Sequence, residues 1–440
     1  MNRREKRANK KDINLLGEVV KIMKQYFPEL MEKFDQLTDN RHQSYVVYKM
    51  RVIFMVRLLG LICSIKSMNE LSREFNTEEA IENIAKICGV ELEEIPHYDT
   101  INDVFEKIDV KEIEKINYYL IKKLIRSKML YPYRIRGRYF HIVIDATCLA
   151  TSRKKYNEKC LIKKKVDKRG KEYKEYSTYV LEAKLVVGDM VFSIGSEFVE
   201  NKEDIEKMSN EKSEKAKQDC EINAFKRLVE KIKKNFSKLN IVISGDALYA
   251  KSTVIEICKE YGWKYIIRFK EGAIPTLYNE FEEISKKYNE SKIERYELVN
   301  AIEYKGNKTN VIRYKEIKSE ADVETEFTYI TDLPVSNKNI EETVNLGSKR
   351  WKIENEGFNI QKNGTFNIGH LFSKNENAIK VHYLLIQMAH LLRQLLEKGS
   401  TKIKELKLKL KEISQQIKQM LISNPLNLAE DIKIQLRFYG

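Results

Sequence analysis

Tyr139-Phe-His-Ile-Val-Ile-Asp145 is a short apolar run rich in β-branched side chains that ends on a carboxylate. It is too short for a helix and reads as a buried strand. Upstream the texture differs. Residues 13 to about 132 place apolar side chains at helical spacing, as in Leu15, Val19, Ile22, Met23 and Phe27 ahead of Pro28, and in the apolar stretch 55–65. Pro96-His97-Tyr98-Asp99-Thr100-Ile101 reads as a break before a new helix capped by Asp99 or Thr100. Downstream, residues 179–187 and 190–198 flank the turn Gly188-Asp189 and predict a hairpin. A charged helical region at 203–236 follows, then a second buried strand, Leu239-Asn-Ile-Val-Ile-Ser-Gly-Asp246. A helix at 252–261 and a strand at 265–270 complete the series. Strand, hairpin, helix, strand, helix, strand is the order of a mixed α/β sheet.

Residues 271–326 mix a helical piece at 277–288 with alternating segments at 296–304 and 310–317, and read as an insertion with β character. Strand character returns at 327–333, and a helix is expected to fill 338–362. The end of the chain is helical, with a lysine-rich amphipathic stretch at 402–422 that aligns Ile403, Leu406, Leu410, Ile413, Ile417 and Met420. The division this suggests is a helical N-terminal region at 1–135, a core at 136–270, the insertion at 271–326, a second core part at 327–398 and a helical C-terminal region at 399–440.

Composition narrows the classes of function. Among 440 residues, 80 Lys+Arg face 65 Asp+Glu, a formal charge of +15, while 42% are hydrophobic. A disordered tail protein is excluded, and so is a membrane protein, because no apolar run approaches the roughly 20 residues of a bilayer span. The basic start runs into Lys10, Lys11 and Asp12 rather than an apolar leader, so the cytoplasm is the expected location. Six scattered cysteines without a Cys-x-x-Cys pair read as reduced and mostly structural, and they argue against a zinc site. The positive excess points to a polyanionic partner, most commonly nucleic acid. Gly-Asn-Lys-Thr at 306–309 lacks the preceding glycine of a phosphate loop, so no nucleotide cofactor is implied.

The chemistry-bearing candidates are acids. Asp145 and Asp246 each end a buried-strand run, and on adjacent strands they would converge at the carboxyl edge of a sheet. Converging carboxylates repel unless a cation is shared or one is protonated, and hard oxygen donors suit Mg²⁺ or Mn²⁺. Either aspartate alone reads equally as a cap or turn residue. In Lys349-Arg-Trp-Lys-Ile-Glu354-Asn-Glu-Gly-Phe-Asn-Ile-Gln-Lys362, Arg350 and Glu354 are four apart. On an α-helical wheel Glu354 shares a side with Trp351, Phe358 and Lys362, whereas Glu356 lies with Ile353 and Ile360. The plain alternative for Arg350 and Glu354 is a surface ion pair. Trp263 and Trp351 read as core anchors, and His141 as a packed or hydrogen-bonded side chain.

Asp145, Asp246 and Glu354 in these settings resemble the DDE triad of bacterial insertion-sequence transposases, in the branch whose RNase H-like core carries a β-rich insertion. The likeness covers most of the chain: the helical N-terminal region, Ile-Asp-Ala-Thr, Gly-Asp-Ala-Leu-Tyr, the insertion and Arg-Trp-x-Ile-Glu. It implies an α/β fold with an RNase H-like mixed-sheet catalytic core, flanked by helical N-terminal DNA-binding and C-terminal regions. It also implies two Mg²⁺ or Mn²⁺ ions held by Asp145, Asp246 and Glu354, with Asp145 bridging, and in-line displacement at a phosphodiester. The branch often carries a Tyr-Arg-Glu-Lys signature around the third acid. Here Arg350 and Glu354 keep its spacing, but Gly347 stands where the tyrosine is expected, and Gln361 where the lysine is, with Lys362 next.

The partners implied are double-stranded DNA, as terminal inverted repeats and target, and a second copy of the chain on that DNA, in a cytoplasmic, nucleoid-associated setting. Arg350, Lys362 and the basic stretch with Lys163, Lys164, Lys165, Lys168 and Arg169 are the expected DNA contacts, with the alternative that this stretch is a solvated loop. A basic N-terminal arm (Arg3, Arg4, Lys6, Arg7, Lys10, Lys11) is a further candidate. The rival readings are a nuclease on the same core without strand transfer, and a DNA-binding descendant without catalysis.

Overall fold

The strand that starts at Phe140 does not stop at Asp145. In the computed structural model, which describes residues 13–202, 219–291, 293–318, 323–426 and 434–437, β1 spans Phe140–Ser152. The sequence pattern ends it too early, because Ala146–Ser152 lacks a β-branched run. These residues are held in the strand by their partner: β3 (Glu172–Val187) runs antiparallel to β1 with Asp145 opposite Glu182 and Ser152 opposite Tyr176. The N-terminal basic arm and residues 203–218 of the charged region lie outside the described residues.

β2 (Leu161–Val166), β4 (Met190–Val199), β5 (Ile241–Gly245), β6 (Lys264–Phe269), β7 (Tyr296–Tyr304), β8 (Asn307–Lys318) and β9 (Val323–Thr331) complete one nine-stranded sheet. Its order is β2-β3-β1-β5-β6-β9-β8-β7, with β4 also paired to β3. β4, β3 and β1 are antiparallel neighbours, while β1, β5 and β6 run parallel. This is the strand arrangement of an RNase H-like core, and the fold is the expected α/β one. The inserted segment adds the helix Pro275–Lys287 and extends the sheet through β9, β8 and β7. Tyr296, Leu298, Ile312 and Tyr329 are buried in a small core shared with Val242 and Ile266 of β5 and β6.

The basic stretch after Asp145 is not a loop. It forms β2 and the start of β3, an antiparallel ribbon pairing Lys163 with Glu175 and Lys164 with Lys174. Its turn closes through Asp167 and Lys171, with Gly170 at a φ of +78°. Because Tyr176 and Ser177 pair with both β1 and β2, β2 must take the edge of β3 that β4 takes further on.

Helices cover both faces of the sheet. Glu221–Asn235 buries Phe225, Leu228 and Ile232 against β4, closely enough that a Cβ on Gly195 would meet Leu228 at 3.0 Å. On the opposite face lies Glu376–Gln394, which also packs against Met50–Ile62, Tyr98–Lys107 and Val110–Arg126. The cap of the Tyr98–Lys107 helix is His97, two residues ahead of the nearer expected cap Asp99, since its ring nitrogen accepts from the Asp99 amide. The 402–422 stretch breaks at Lys407, whose φ is +50°, into Thr401–Leu406 and Leu410–Ser423. Ile413, Ile417 and Leu421 are buried where the latter helix meets Leu15–Tyr26 and Glu78–Cys88. The helix expected over 338–362 is likewise two pieces. Ile340–Ser348 ends in a turn, and the chain then winds as a π-helix over Ile353–Gly364.

Candidate active site

Side chains alternate along a strand, so His141, Val143 and Asp145 share one face of β1. His141 is buried and bonded to Ser244 at 2.7 Å, and Val143 packs with Ile353 and Phe358 of the π-helical segment. That contact brings the segment over the face that carries Asp145. Parallel pairing with β5 matches Phe140 to Ile241 through Val143 to Ser244. Two positions further along, the same register leads to Asp145 on β1 and to Asp246 just beyond the end of β5.

Asp246 follows the last residue of β5 and caps a short turn of helix, accepting from the Leu248 amide at 2.9 Å. It therefore caps the turn, and its charge also reaches Asp145. Tyr249 fastens the turn. Its ring presses on Gly245, where a Cβ would meet it at 2.7 Å, and its hydroxyl donates to Glu221 at 3.3 Å.

Arg350 joins the other two acids. Its Nη1 donates to Glu354 Oε1 at 2.7 Å and lies 3.9 Å from Asp145 Oδ2, while its guanidinium covers the Trp351 ring at 4.4 Å. Glu356 pairs instead with Lys398. Trp351 is half exposed, so it is no core anchor; Trp263 is buried.

Burial sets the electrostatics of Asp145 and pushes its carboxyl up to about 7. The Ala146 amide and Arg350 oppose the shift, and the charges of Glu354 and Asp246 reinforce it. One carboxylate thus feels both of the others. Burial also raises the Glu221 carboxyl, with the Tyr249 hydroxyl and Lys163 opposing and Asp246 adding to it. Glu221 escapes a reading of the sequence, where a lone acid at a helix start carries no signal; only the topology brings it beside Asp246. Tyr249 could have been singled out from Gly-Asp-Ala-Leu-Tyr.

π-winding bears on the departure at Gln361. Hydrogen bonds in a π-helix reach one residue further than in an α-helix, so a side chain roughly eight or nine positions on returns to the same side, rather than seven. Gln361 is fully buried and Lys362 is exposed. Burial raises the Cys148 thiol, and the Lys362 ammonium is among the groups that hold it down, which sets Lys362 near β1 three residues beyond Asp145. Of the ribbon residues, Lys163 lies 4.9 Å over the Tyr179 ring and reaches Glu221 with its charge, and Lys165 pairs with Glu175 at 2.8 Å. Lys164, Lys168 and Arg169 are exposed.

The donor chemistry fits hard divalent cations: three carboxylates, one of them raised by burial and by its neighbours' charge, which a cation would relieve. Their spacing is open rather than cage-like. Among the described residues, no group of three or more His, Cys, Asp or Glu side chains stands close enough to hold a metal ion.

Comparison with known proteins places the chain. The family described as DDE_Tnp_1-associated matches residues 31–119, and that described as Transposase DDE domain group 1 matches residues 202–439. No curated protein matches. Among solved structures, the piggyBac transposase synaptic complex with hairpin DNA is similar with a TM-score of 0.45 and 10% identity, over 94% of this chain and 81% of that one. With the group 1 match spanning more than half of the sequence, the chain belongs to the DDE transposases.

Proposed function

We propose that the protein binds the ends of its own mobile element as double-stranded DNA and performs Mg²⁺- or Mn²⁺-dependent phosphodiester cleavage followed by strand transfer into target DNA. The observation that carries this reading is Arg350 between Asp145 and Glu354, beside an Asp145 carboxyl raised by burial and, in smaller part, by the charges of Glu354 and Asp246. Asp145 would lie between two cations, with Asp246 and Glu354 each completing one. Bound there, the cations supply Lewis-acid activation of the attacking hydroxyl and charge stabilisation at the leaving oxygen.

The chain's own residues supply the rest. Arg350, which lies beside Asp145 and Glu354, is a bidentate donor suited to a phosphate. Lys362 offers a second phosphate contact on the segment that bears Glu354. Lys163, Lys164, Lys165, Lys168 and Arg169 give the ribbon a positive surface for the DNA backbone. The helical N-terminal region is the remaining DNA-binding surface, and two copies of the chain would hold the two ends. The cytoplasm, at the nucleoid, is where such a reaction takes place in an insertion-sequence host.

The test uses DNA flanking the coding region as substrate. With Mg²⁺, wild-type protein is expected to cut it, and Asp145→Ala, Asp246→Ala and Glu354→Ala to lose at least 100-fold in rate. Unchanged cutting by any one of these would remove that residue from the triad. Joining of the cut end to a target plasmid separates a transposase from a nuclease.

A further inference from the structure

Behind the acids, on the same face of the sheet, lies a polar network that the proposed chemistry does not use. Glu182 is the cross-strand partner of Asp145 and is fully buried. It accepts from Ser196 and Tyr383, each at 2.7 Å, and from Ser193, and it lies 3.5 Å from the Lys184 ammonium, which is 1% exposed. Lys184 in turn donates to Gln387 Oε1 on the Glu376–Gln394 helix. The same oxygen accepts from Gln361 Nε2 at 2.9 Å, and that nitrogen also bonds His390 Nδ1 at 3.0 Å. Burial disfavours the charged His390 ring, which leaves one ring nitrogen able to accept, and Nδ1 is the one that faces Gln361. Both amide protons of Gln361 are thereby used, in a residue with no exposed surface.

An ion pair in this setting needs an explanation, because apolar residues of equal volume usually serve stability as well or better. Its position offers one. Gln361 belongs to the π-helical segment that carries Glu354, and it immediately precedes Lys362. Burying the amide of Gln361 fixes the rotation of the segment at its far end, while Ile353 and Phe358 seat it on Val143, Val186 and Val191. A one-residue slip back to α-winding would carry Gln361 off its partners and swing Lys362 away.

We propose that Gln361, anchored through Gln387 and His390 to the buried Lys184–Glu182 pair, is a positioning residue that locks the π-winding of Ile353–Gly364 and so holds Glu354 towards Asp145 and Lys362 towards the DNA. This rests on the reading of Glu354 as a cation ligand. The network acts at a distance and touches no substrate.

The experiment compares wild type, Gln361→Leu, the double replacement Lys184→Met with Glu182→Leu, and Glu354→Gln. Each is measured by thermal melting, by calorimetric titration with Mn²⁺ and by hydrogen exchange. The double variant leaves Ser193, Ser196, Tyr383 and Gln387 without their charged partners and is expected to melt lower than wild type; both it and Gln361→Leu, where folded, should bind Mn²⁺ at least 10-fold more weakly and lose amide protection over 353–364. Wild-type Mn²⁺ affinity in folded Gln361→Leu would overturn the proposal. Should the variants fail to fold, the wild-type protein decides: amides of 353–364 exchanging as fast as those of the exposed ribbon exclude a locked segment. If Glu354→Gln itself binds Mn²⁺ normally, the reading of Glu354 fails instead, which keeps the two failures distinct.

Discussion

Asp145 and Asp246 follow from one register: the four paired residues Phe140–Val143 and Ile241–Ser244 lead to Asp145 within β1 and to Asp246 just past the end of β5. Neighbouring strands lie about 4.8 Å apart, so the backbone brings the two acids close enough for the charge of Asp246 to raise Asp145. Their repulsion, and the burial of Asp145, are built in before any ligand arrives.

A pH dependence follows. The Asp145 carboxyl is raised from 3.8 to about 7. A raised folded-state value favours folding below the unfolded value and loses that contribution as pH climbs through the folded one. Cation-free Asp145→Asn should therefore be more stable than wild type at pH 8, by up to about 4 kcal/mol, with the gap closing towards pH 4. Urea unfolding across this range checks it. A pH-independent gap would show that burial does not act on this group.

Binding of Mn²⁺ should follow the same proton. Below about 7 the cation must displace it, so affinity should fall by up to tenfold per pH unit between 7 and 5. Calorimetric titration at three pH values reads this, and an invariant Kd would contradict it.

Gly245→Ala should be costly for a residue in an ordinary strand conformation. Its Cβ would sit 2.7 Å from the buried ring of Tyr249, an overlap expected to cost about 1–3 kcal/mol. Because the displaced ring fastens the turn under Asp246, Mn²⁺ affinity should fall as well. Tyr249→Phe, which removes only the bond to Glu221, should give a smaller loss of stability.

On the ribbon, replacement of Lys163, Lys164, Lys168 or Arg169 by Gln should lower the slope of log K against log salt for DNA binding by about 0.9 per lost phosphate contact. Lys165 should matter less, since its ammonium is held by Glu175. Filter binding from low to moderate salt measures the slopes, and equal slopes for all variants would take the ribbon off the DNA.

The parts of the fold that are legible in sequence are those where one face, or both, is buried by local pattern. Residues 239–246 and the 179–198 hairpin announce their strands through β-branched runs and a Gly-Asp turn, and the helix at 252–261 has the expected bounds. Where a partner imposes the structure, the sequence is silent. Residues 146–152 extend β1 because β3 lies alongside, and 161–166 form a strand although four of the six are exposed. The π-winding over 353–364 has no local signature, since Gln361, Gln387, Lys184 and His390 are remote in sequence. An α-helical wheel drawn over that segment uses the wrong period. The three acids are legible as strand ends and as an arginine–glutamate spacing. The placement of Arg350 between two of them, and Glu221 beside the third, requires the fold.

Asn83 tests how the helical regions hold together. Fully buried, it donates to the carbonyls of Leu421 and Asn424 and accepts from the Leu426 amide. Asn83→Leu would leave three backbone groups unpaired and should cost about 2–4 kcal/mol, read from the urea midpoint at constant m. A loss below about 0.5 kcal/mol would mean that water replaces the bonds.

That joint also orders events during synthesis. The Leu15–Tyr26 and Glu78–Cys88 helices are made well before Leu410–Ser423, which packs on both. Until then they expose apolar surface that a much later part of their own chain covers, so a product cut short before residue 410 would leave it open and prone to associate with other chains.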